Sequence, residues 1–567
     1  MTPVPCDGQT ALDRKGRPVG KMVAAAGVSS GRASTATFVS AGVASRIAGP
    51  RTTPRNIAIL LGAAAALAAV AFLVLYPHIG FDADSVAYVG VARNIASGHG
   101  VTYPFRVPGA RMTDFPPGYP LVLAAGHTIG FPVVGFAHVL QGALLGVAAA
   151  LVALLVLQAS GSMAFAGVAF FLIAAAPGLD EVFSTVYSEP LAIALQLGAL
   201  ALLVAWARSH RRSLLVAAGV CAALGPIVRW AGIAMVVTGA IVVAAYTAAP
   251  LGDRLRRATL WGGACLVPAV VAVAANRGAS HSGTGTGTAR NLAWHPVGWS
   301  QLSKGFDTVG SWLLPRQVHE RWLFGLVLVG IAISAAISYA ARRGLPAARA
   351  AVEHAGAAIA IPAVFVAVYV VTILVSTSLF DAATPLDARI LSPAYAALIP
   401  ALVGGLAVWF TRSEHNVDVL RPVFAVCAVA VVLVGVRAVT TATGNQDSRL
   451  GYATSHWRRS PVMRQIDGLV KPTWVVTNAP EAVYLQTGRE ARGLPSKYSS
   501  TSLQPESDYP QRLSDLIAKV RAHHGVFAMF DEVKGRPWLP KADELEHHHG
   551  LRVVARVADG VLLAPAG

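Results

Sequence analysis

Long apolar runs separated by short polar segments set the plan of this chain. Ile57–Tyr76 is the first of them, long enough as a helix to cross a hydrocarbon core of about 30 Å. Further runs predict spans at Val133–Leu157, Ala164–Ala176, Pro190–Ala207, Leu214–Val228, Gly232–Ala249 and Leu260–Ala275. Four more follow, at Trp322–Ala340, Gly356–Ser376, Leu391–Phe410 and Pro422–Thr440. Pro117–Gly130 is apolar but short, opens on Pro-Pro-Gly and carries His127, so it reads as an interfacial or re-entrant helix. Arginine clusters fix the parity. Arg208, Arg211 and Arg212, then Arg254, Arg256 and Arg257, then Arg342 and Arg343, then Arg412 and Arg421 belong on the cytoplasmic side. About eleven crossings result, with the segment after Thr440 outside.

Two stretches break this pattern. After Tyr76 the period turns amphipathic, with Val86, Val89, Ala92 and Ile95 at helical spacing and a stop at Gly98. Asp82 and Asp84 stand at the N-terminus of that helix, where the chain leaves the bilayer, and Asp84 shares a face with Tyr88. Asp84 reads equally as a helix cap and as a functional carboxylate held at the membrane edge. Beyond Thr440 strand and helix patterns alternate. Trp474–Thr477, Val526–Phe530 and Val553–Leu563 read as strands, and Pro480–Gln486 and Pro510–His523 as helices, which predicts a small α/β domain over 441–567.

Composition agrees with a polytopic α-helical membrane protein: 54% of the 567 residues are hydrophobic and 13% charged. The formal charge of +17 would suit nucleic acid, but the basic residues lie between apolar runs as topology signals, so no nucleic-acid partner is expected. Cys221, Cys265 and Cys427 fall in apolar runs and Cys6 near the start, which suggests neither a disulfide framework nor a zinc site. Residues 1–55, rich in small and basic residues, read as a disordered cytoplasmic tail ahead of a membrane domain over 56–440.

Asp82-x-Asp84, then Tyr88, then Ala92-Arg93-Asn94-Ile95-Ala96-Ser97-Gly98, then Asp114-Phe115-Pro116-Pro117-Gly118-Tyr119-Pro120 resembles the first external loop of the GT-C membrane glycosyltransferases, here 78–116. The similarity is greatest to the bacterial branch with the lipid A aminoarabinose transferases and protein O-mannosyltransferase relatives. It implies a GT-C-like membrane domain with an extracytoplasmic C-terminal domain. It implies transfer of a sugar, with inversion, from a polyprenyl-phosphate-linked donor to a glycan, lipid or protein acceptor at the outer face of the plasma membrane. On the matching positions it makes Asp84 the base and Asp82 its helper or a contact for a divalent cation. Tyr88, Asp114 and Tyr119 would line the substrate site. Asp387-Ala388-Arg389 ahead of Pro393 resembles the family's external acidic–Arg element, so Arg389 would hold the donor phosphate through its bidentate fork, or pair with Asp387.

Other residues keep two readings. Glu189, beside Pro190, is a helix-end carboxylate or the family's second acidic site. Arg229, inside an apolar stretch, is a snorkelling turn residue or a phosphate contact. Trp294, Trp299, Trp312 and Trp322 suit an interfacial belt before a sugar platform, and Ser282–Ala289 reads as mobile. Lys304 is the one clear external lysine for a second phosphate contact. His547, His548 and His549 are consecutive and point apart, which suits a solvated loop better than a metal. Two rival classes are a lipid or solute transporter or flippase, and a ligase or polymerase using a diphosphate-linked donor.

Overall fold

The computed structural model describes residues 53–567 apart from 281–293, 313, 315–319, 327–345, 381, 383, 413–427, 429–430, 442, 445–449, 500–503, 534–535, 549 and 567. The tail 1–55 therefore lies almost wholly outside the described residues, as do Ser282–Ala289, Arg342, Arg343, Asp381, Arg421, His549, most of the span Trp322–Ala340 and part of the span Pro422–Thr440. Residues 54–567 pack as one compact unit.

The first span is α1 (Pro54–Leu75). Leu67 and Val74 are 71% and 73% exposed and Phe72 is buried, so α1 turns an apolar outer face to lipid. It packs on α4 (Val133–Ser160), where a Cβ on Gly146 would lie 2.2 Å from the Ala65 carbonyl oxygen. Absence of a side chain there lets the two backbones meet. Between them come α2 (Ala83–Ala96) and α3 (Gly118–Thr128). Both are shorter than a membrane span needs, and α3 falls on the short apolar run Pro117–Gly130. The expected run Ala164–Ala176 is α5 (Met163–Ala174), followed after a 55° bend by α6 (Pro177–Phe183).

Next come α7 (Glu189–Ser209), α8 (Arg212–Val228), α9 (Ile233–Tyr246), α10 (Leu251–Ser280), α11 (Trp299–Ser311), α12 (Pro346–Leu379), α13 (Ala388–Arg412) and α14 (Val431–Thr441). Six described helices are long and apolar enough to span, seven with the α5–α6 pair, and α8, α14 and the segment Trp230–Tyr246 are shorter. The expected number of eleven is not one that these residues count out. A chain of this pattern is a polytopic helical membrane protein.

The C-terminal portion carries a five-stranded sheet: β1 (Val475–Thr477), β2 (Arg492–Gly493), β3 (Val526–Phe530), β4 (Leu551–Val557) and β5 (Gly560–Pro565), in the order β2-β1-β3-β5-β4. β1 is parallel to β2 and β3, while β5 is antiparallel to β3 and β4. The run Val553–Leu563, read as strand, belongs to a hairpin that turns at Ala558-Asp559. Two helices cover opposite faces, α15 (Pro480–Thr487) and α16 (Tyr509–Ala522). On one side Ala482 and Val483 pack with Val475 and Phe530; on the other Leu513 and Ile517 pack with Val476 and Phe527.

Candidate active site

Four helix ends deliver charge to one point. Asp82 caps α2, its carboxylate accepting from the Ser85 N–H at 2.8 Å, and Asp84 lies in the first turn behind it. Capping thus falls to Asp82, which leaves Asp84 free of that duty. The backbone before Asp82 is fixed from the far end of the chain: Phe81 donates to the Leu450 carbonyl at 3.1 Å and accepts from Tyr452 at 2.8 Å. Gly451 makes that approach possible, because its φ is +54° and a Cβ would sit 2.0 Å from the Phe81 oxygen. Glu189 opens α7, Arg389 sits in the first turn of α13, and Arg229 occupies the extended break between α8 and the turn Trp230–Gly232.

Arg389 is the hub. Its guanidinium donates to Asp84 at 2.5 Å, reaches Asp82 at 3.3 Å and pairs with Glu189, and it lies 4.1 Å over the Tyr187 ring. Glu189, with no side-chain exposure, also takes Arg229 at 2.7 Å. Glu189 is thus a helix-end carboxylate, as one reading has it, and it also joins two arginines. Asp387 does not pair with Arg389 as its spacing suggested. Its carboxylate accepts from the Ile390 N–H at 2.9 Å, capping α13, while Arg389 turns to the other carboxylates.

The two aspartates are driven apart electrically. Burial pushes the Asp82 carboxyl up, and the neighbouring Asp84 charge adds to it. Burial acts on Asp84 too, but Arg389 outweighs it and holds Asp84 below the usual carboxylate range. Burial, with the charges of Asp84 and Glu189, raises the Tyr88 phenol, so Tyr88 stays protonated. Its hydroxyl lies 3.3 Å from Ser188 Oγ, which in turn donates to Glu189 at 3.3 Å. Tyr119 is wholly buried, edge-on to Tyr88 at 5.2 Å, and its hydroxyl accepts from Gln141 at 3.1 Å. Asp82, read as a helper of the base or a contact for a divalent cation, and Asp84 both face Arg389, and among the described residues no group of three or more His, Cys, Asp or Glu is set to hold a metal.

The remaining sequence candidates stand elsewhere. Asp114 accepts from the Tyr103 hydroxyl at 3.1 Å and lies 3.7 Å from Arg106. Lys304 is exposed on α11. Trp294 and Trp299 are exposed, Trp299 is edge-on to Trp322, and Trp312 packs on Tyr395. His547 bonds the Asp543 carbonyl at the end of the helix Ala542–His548.

Sequence reasoning missed a clasp between the first loop and the C-terminal sheet. Arg106, whose φ is +61°, donates its N–H to the Ala491 carbonyl and accepts from Gly493, a single bridge to the edge of β2. Its guanidinium binds Glu481 of α15 at 2.6 Å, and Arg536 approaches the same carboxylate at 3.2 Å. Glu481 has no side-chain exposure. The faint signal was an acidic residue one step after Pro480, where a helix starts. Burial pushes Glu481 up, but the two arginines outweigh it and hold it below its ordinary 4.5. Its folded pKa is depressed, so the clasp's contribution is present above about 4.5 and is lost as the pH falls through the lowered value. Glu481→Gln should cost roughly 2 kcal/mol, under the full price of a broken buried pair because Arg106 reaches solvent. Limited proteolysis at 97–113 checks this: the variant is cut at neutral pH, whereas the natural chain is cut only in acid. Equal cutting of both at pH 7 would remove Glu481 from the clasp.

At the level of sequence, no family model and no curated protein matches the chain. Solved structures do. The fold has a solved counterpart. It is similar to the ArnT from Cupriavidus metallidurans bound to undecaprenyl phosphate, with a TM-score of 0.55 at 15% identity over 90% of this chain and 98% of that one. The apo form of that ArnT gives 0.44 at 15% identity over 89% and 97%. The archaeal oligosaccharyltransferase AglB from Archaeoglobus fulgidus, in complex with an inhibitory peptide and a dolichol-phosphate, gives 0.46 at 12% over 83% and 69%. The shared fold rests on the first of these.

Proposed function

We propose that this chain is a membrane glycosyltransferase that moves a sugar from a polyprenyl-phosphate-linked donor to an acceptor hydroxyl on the outer face of the membrane. The observation that carries the reading is the convergence of Asp82, Asp84 and Glu189 on Arg389 and Arg229, at helix ends in a GT-C-like fold. Undecaprenyl phosphate, bound in the similar ArnT structure, is the leaving group such a reaction would release. In the step itself the acceptor oxygen attacks the anomeric carbon and its proton passes to Asp84. The bond from that carbon to the phosphate oxygen breaks, and the lipid phosphate leaves with the electron pair. Positive charge beside the leaving oxygen lowers the barrier, which is the part of Arg389 and Arg229.

Arg389 restrains the base before the donor arrives. A carboxylate held at low pKa is always charged but is a poor proton acceptor. A donor phosphate offers the fork a better partner, and as Arg389 turns to it, burial raises Asp84 toward a working pKa. Purified protein should release polyprenyl monophosphate from a radiolabelled lipid-linked sugar. Transport of the intact lipid without release, or release of diphosphate, would replace this reading with one of its rivals.

The same reading divides the chain into a membrane domain at 56–440 and an extracytoplasmic domain at 441–567. A cysteine introduced after Thr440 should react with an impermeant reagent in intact cells, and one before Ile57 should not. A shielded C-terminal portion would overturn the orientation and the outer-face chemistry together.

A further inference from the structure

The C-terminal sheet has a switch in strand order. From β1 the chain crosses through α15 to β2 on one side, then returns through α16 to β3 on the other. Helices therefore cover opposite faces, and the connections part at the carboxyl ends of β1 and β3. Open α/β sheets place ligands at such a point. Here Asn478 ends β1 and Asp531 follows β3, and both line a cavity of about 720 Å³. Asn478 ties the two strand ends together, donating to the Phe530 carbonyl at 2.8 Å and accepting its N–H at 3.0 Å.

The chemistry of the lining narrows the occupant. Arg536 is committed to Glu481 and to the Asn478 carbonyl, and Arg556 to Glu546 at 2.8 Å. Asp531, Asp543 and Lys541 then face the cavity with no side-chain ion pair among the described residues. An anion would meet two carboxylates. A neutral polyol finds acceptors and a donor for its hydroxyls, and apolar walls at Val533, Pro537 and Leu539 for its C–H faces. Arg536 borders this cavity and, at 3.3 Å, also touches the Tyr452 hydroxyl, next to the strand that holds Phe81. One wall is therefore shared with the clasp on the catalytic loop.

We infer that the switch-point cavity of the C-terminal sheet is a binding site for a neutral oligosaccharide, the distal part of a glycan acceptor. The inference rests on the glycosyltransferase reading for the word acceptor, and on the cavity alone for the sugar. The test is calorimetry on the full-length protein in detergent, with panels of neutral hexopyranose and pentofuranose oligosaccharides, an acidic uronate oligosaccharide and inorganic phosphate. At least one neutral oligosaccharide should bind. Asp531→Asn with Asp543→Asn, both at exposed positions, should weaken it about tenfold or more, and thermal unfolding should not change. Asp84→Asn should bind it as the natural chain does. Preference for uronate or phosphate, no heat from any neutral member up to about 10 mM, or unaltered binding by the double variant would overturn the site. Oligosaccharide binding without lipid-phosphate release from any donor would sink the enzymatic reading and leave the sugar site standing.

Discussion

Asp84→Asn should lower turnover by about 10²–10⁴-fold, the usual cost of a lost general base, in a protein that still folds and inserts. The structure separates the two effects cleanly. Asp82, not Asp84, caps α2, so the substitution leaves the helix end intact. Arg389 keeps Asp82 and Glu189, and the asparagine oxygen still accepts, so stability should move by about 1 kcal/mol. The pH profile carries a second signature. In the free enzyme Asp84 sits below its ordinary 3.8, so the acid limb of kcat/KM lies in that low range. If donor phosphate draws Arg389 away, the acid limb of kcat moves to higher pH. Near-normal turnover by Asp84→Asn would transfer the base to Asp82 or Glu189, and coincident limbs would remove the release of Asp84 by the donor.

Arg389→Lys should reduce kcat/KM for the lipid-linked donor by about 100-fold, close in size to the first effect. Lysine keeps the charge but has no planar fork, and it cannot serve carboxylates on three sides and then a phosphate. Asp387→Asn beside it should change donor use less than about threefold, since Asp387 acts as a cap and asparagine caps as well. Steady-state kinetics on the pair decides the matter. Equal, small effects would make Arg389 structural and move the phosphate contact toward Arg229, whose Nε is buried without a partner, or Lys304.

Legibility followed distance along the chain. The acidic start of α2, the shared face of Asp84 and Tyr88 and the short α3 are local patterns, and hydropathy and helical period carry them. The strand Val526–Phe530 was readable for the same reason, whereas the short turn at Ala558-Asp559 was lost inside an apolar run. Asp387 and Arg389 misled because nearness in sequence suggested a pair. On a helix end two residues apart point in different directions, and the real partners of Arg389 lie 200 to 307 positions away. The buried arginines were recognisable as costly, but which carboxylates met them was a property of packing.

The clasp joins Arg106 to Glu481 across 375 positions. A ribosome adding about 5–20 residues each second needs roughly 20–75 s to cover that interval. Through that time the loop with Asp82 and Asp84 is already outside the ribosome, yet neither Gly451 nor the edge of β2 exists to shape it. Until then Phe81 and Arg106 lack the backbone partners that fix the loop, so a product truncated before residue 450 should release no lipid phosphate, however well its spans insert. On the glycosyltransferase reading, activity should therefore wait until the segments after residue 450 have been made.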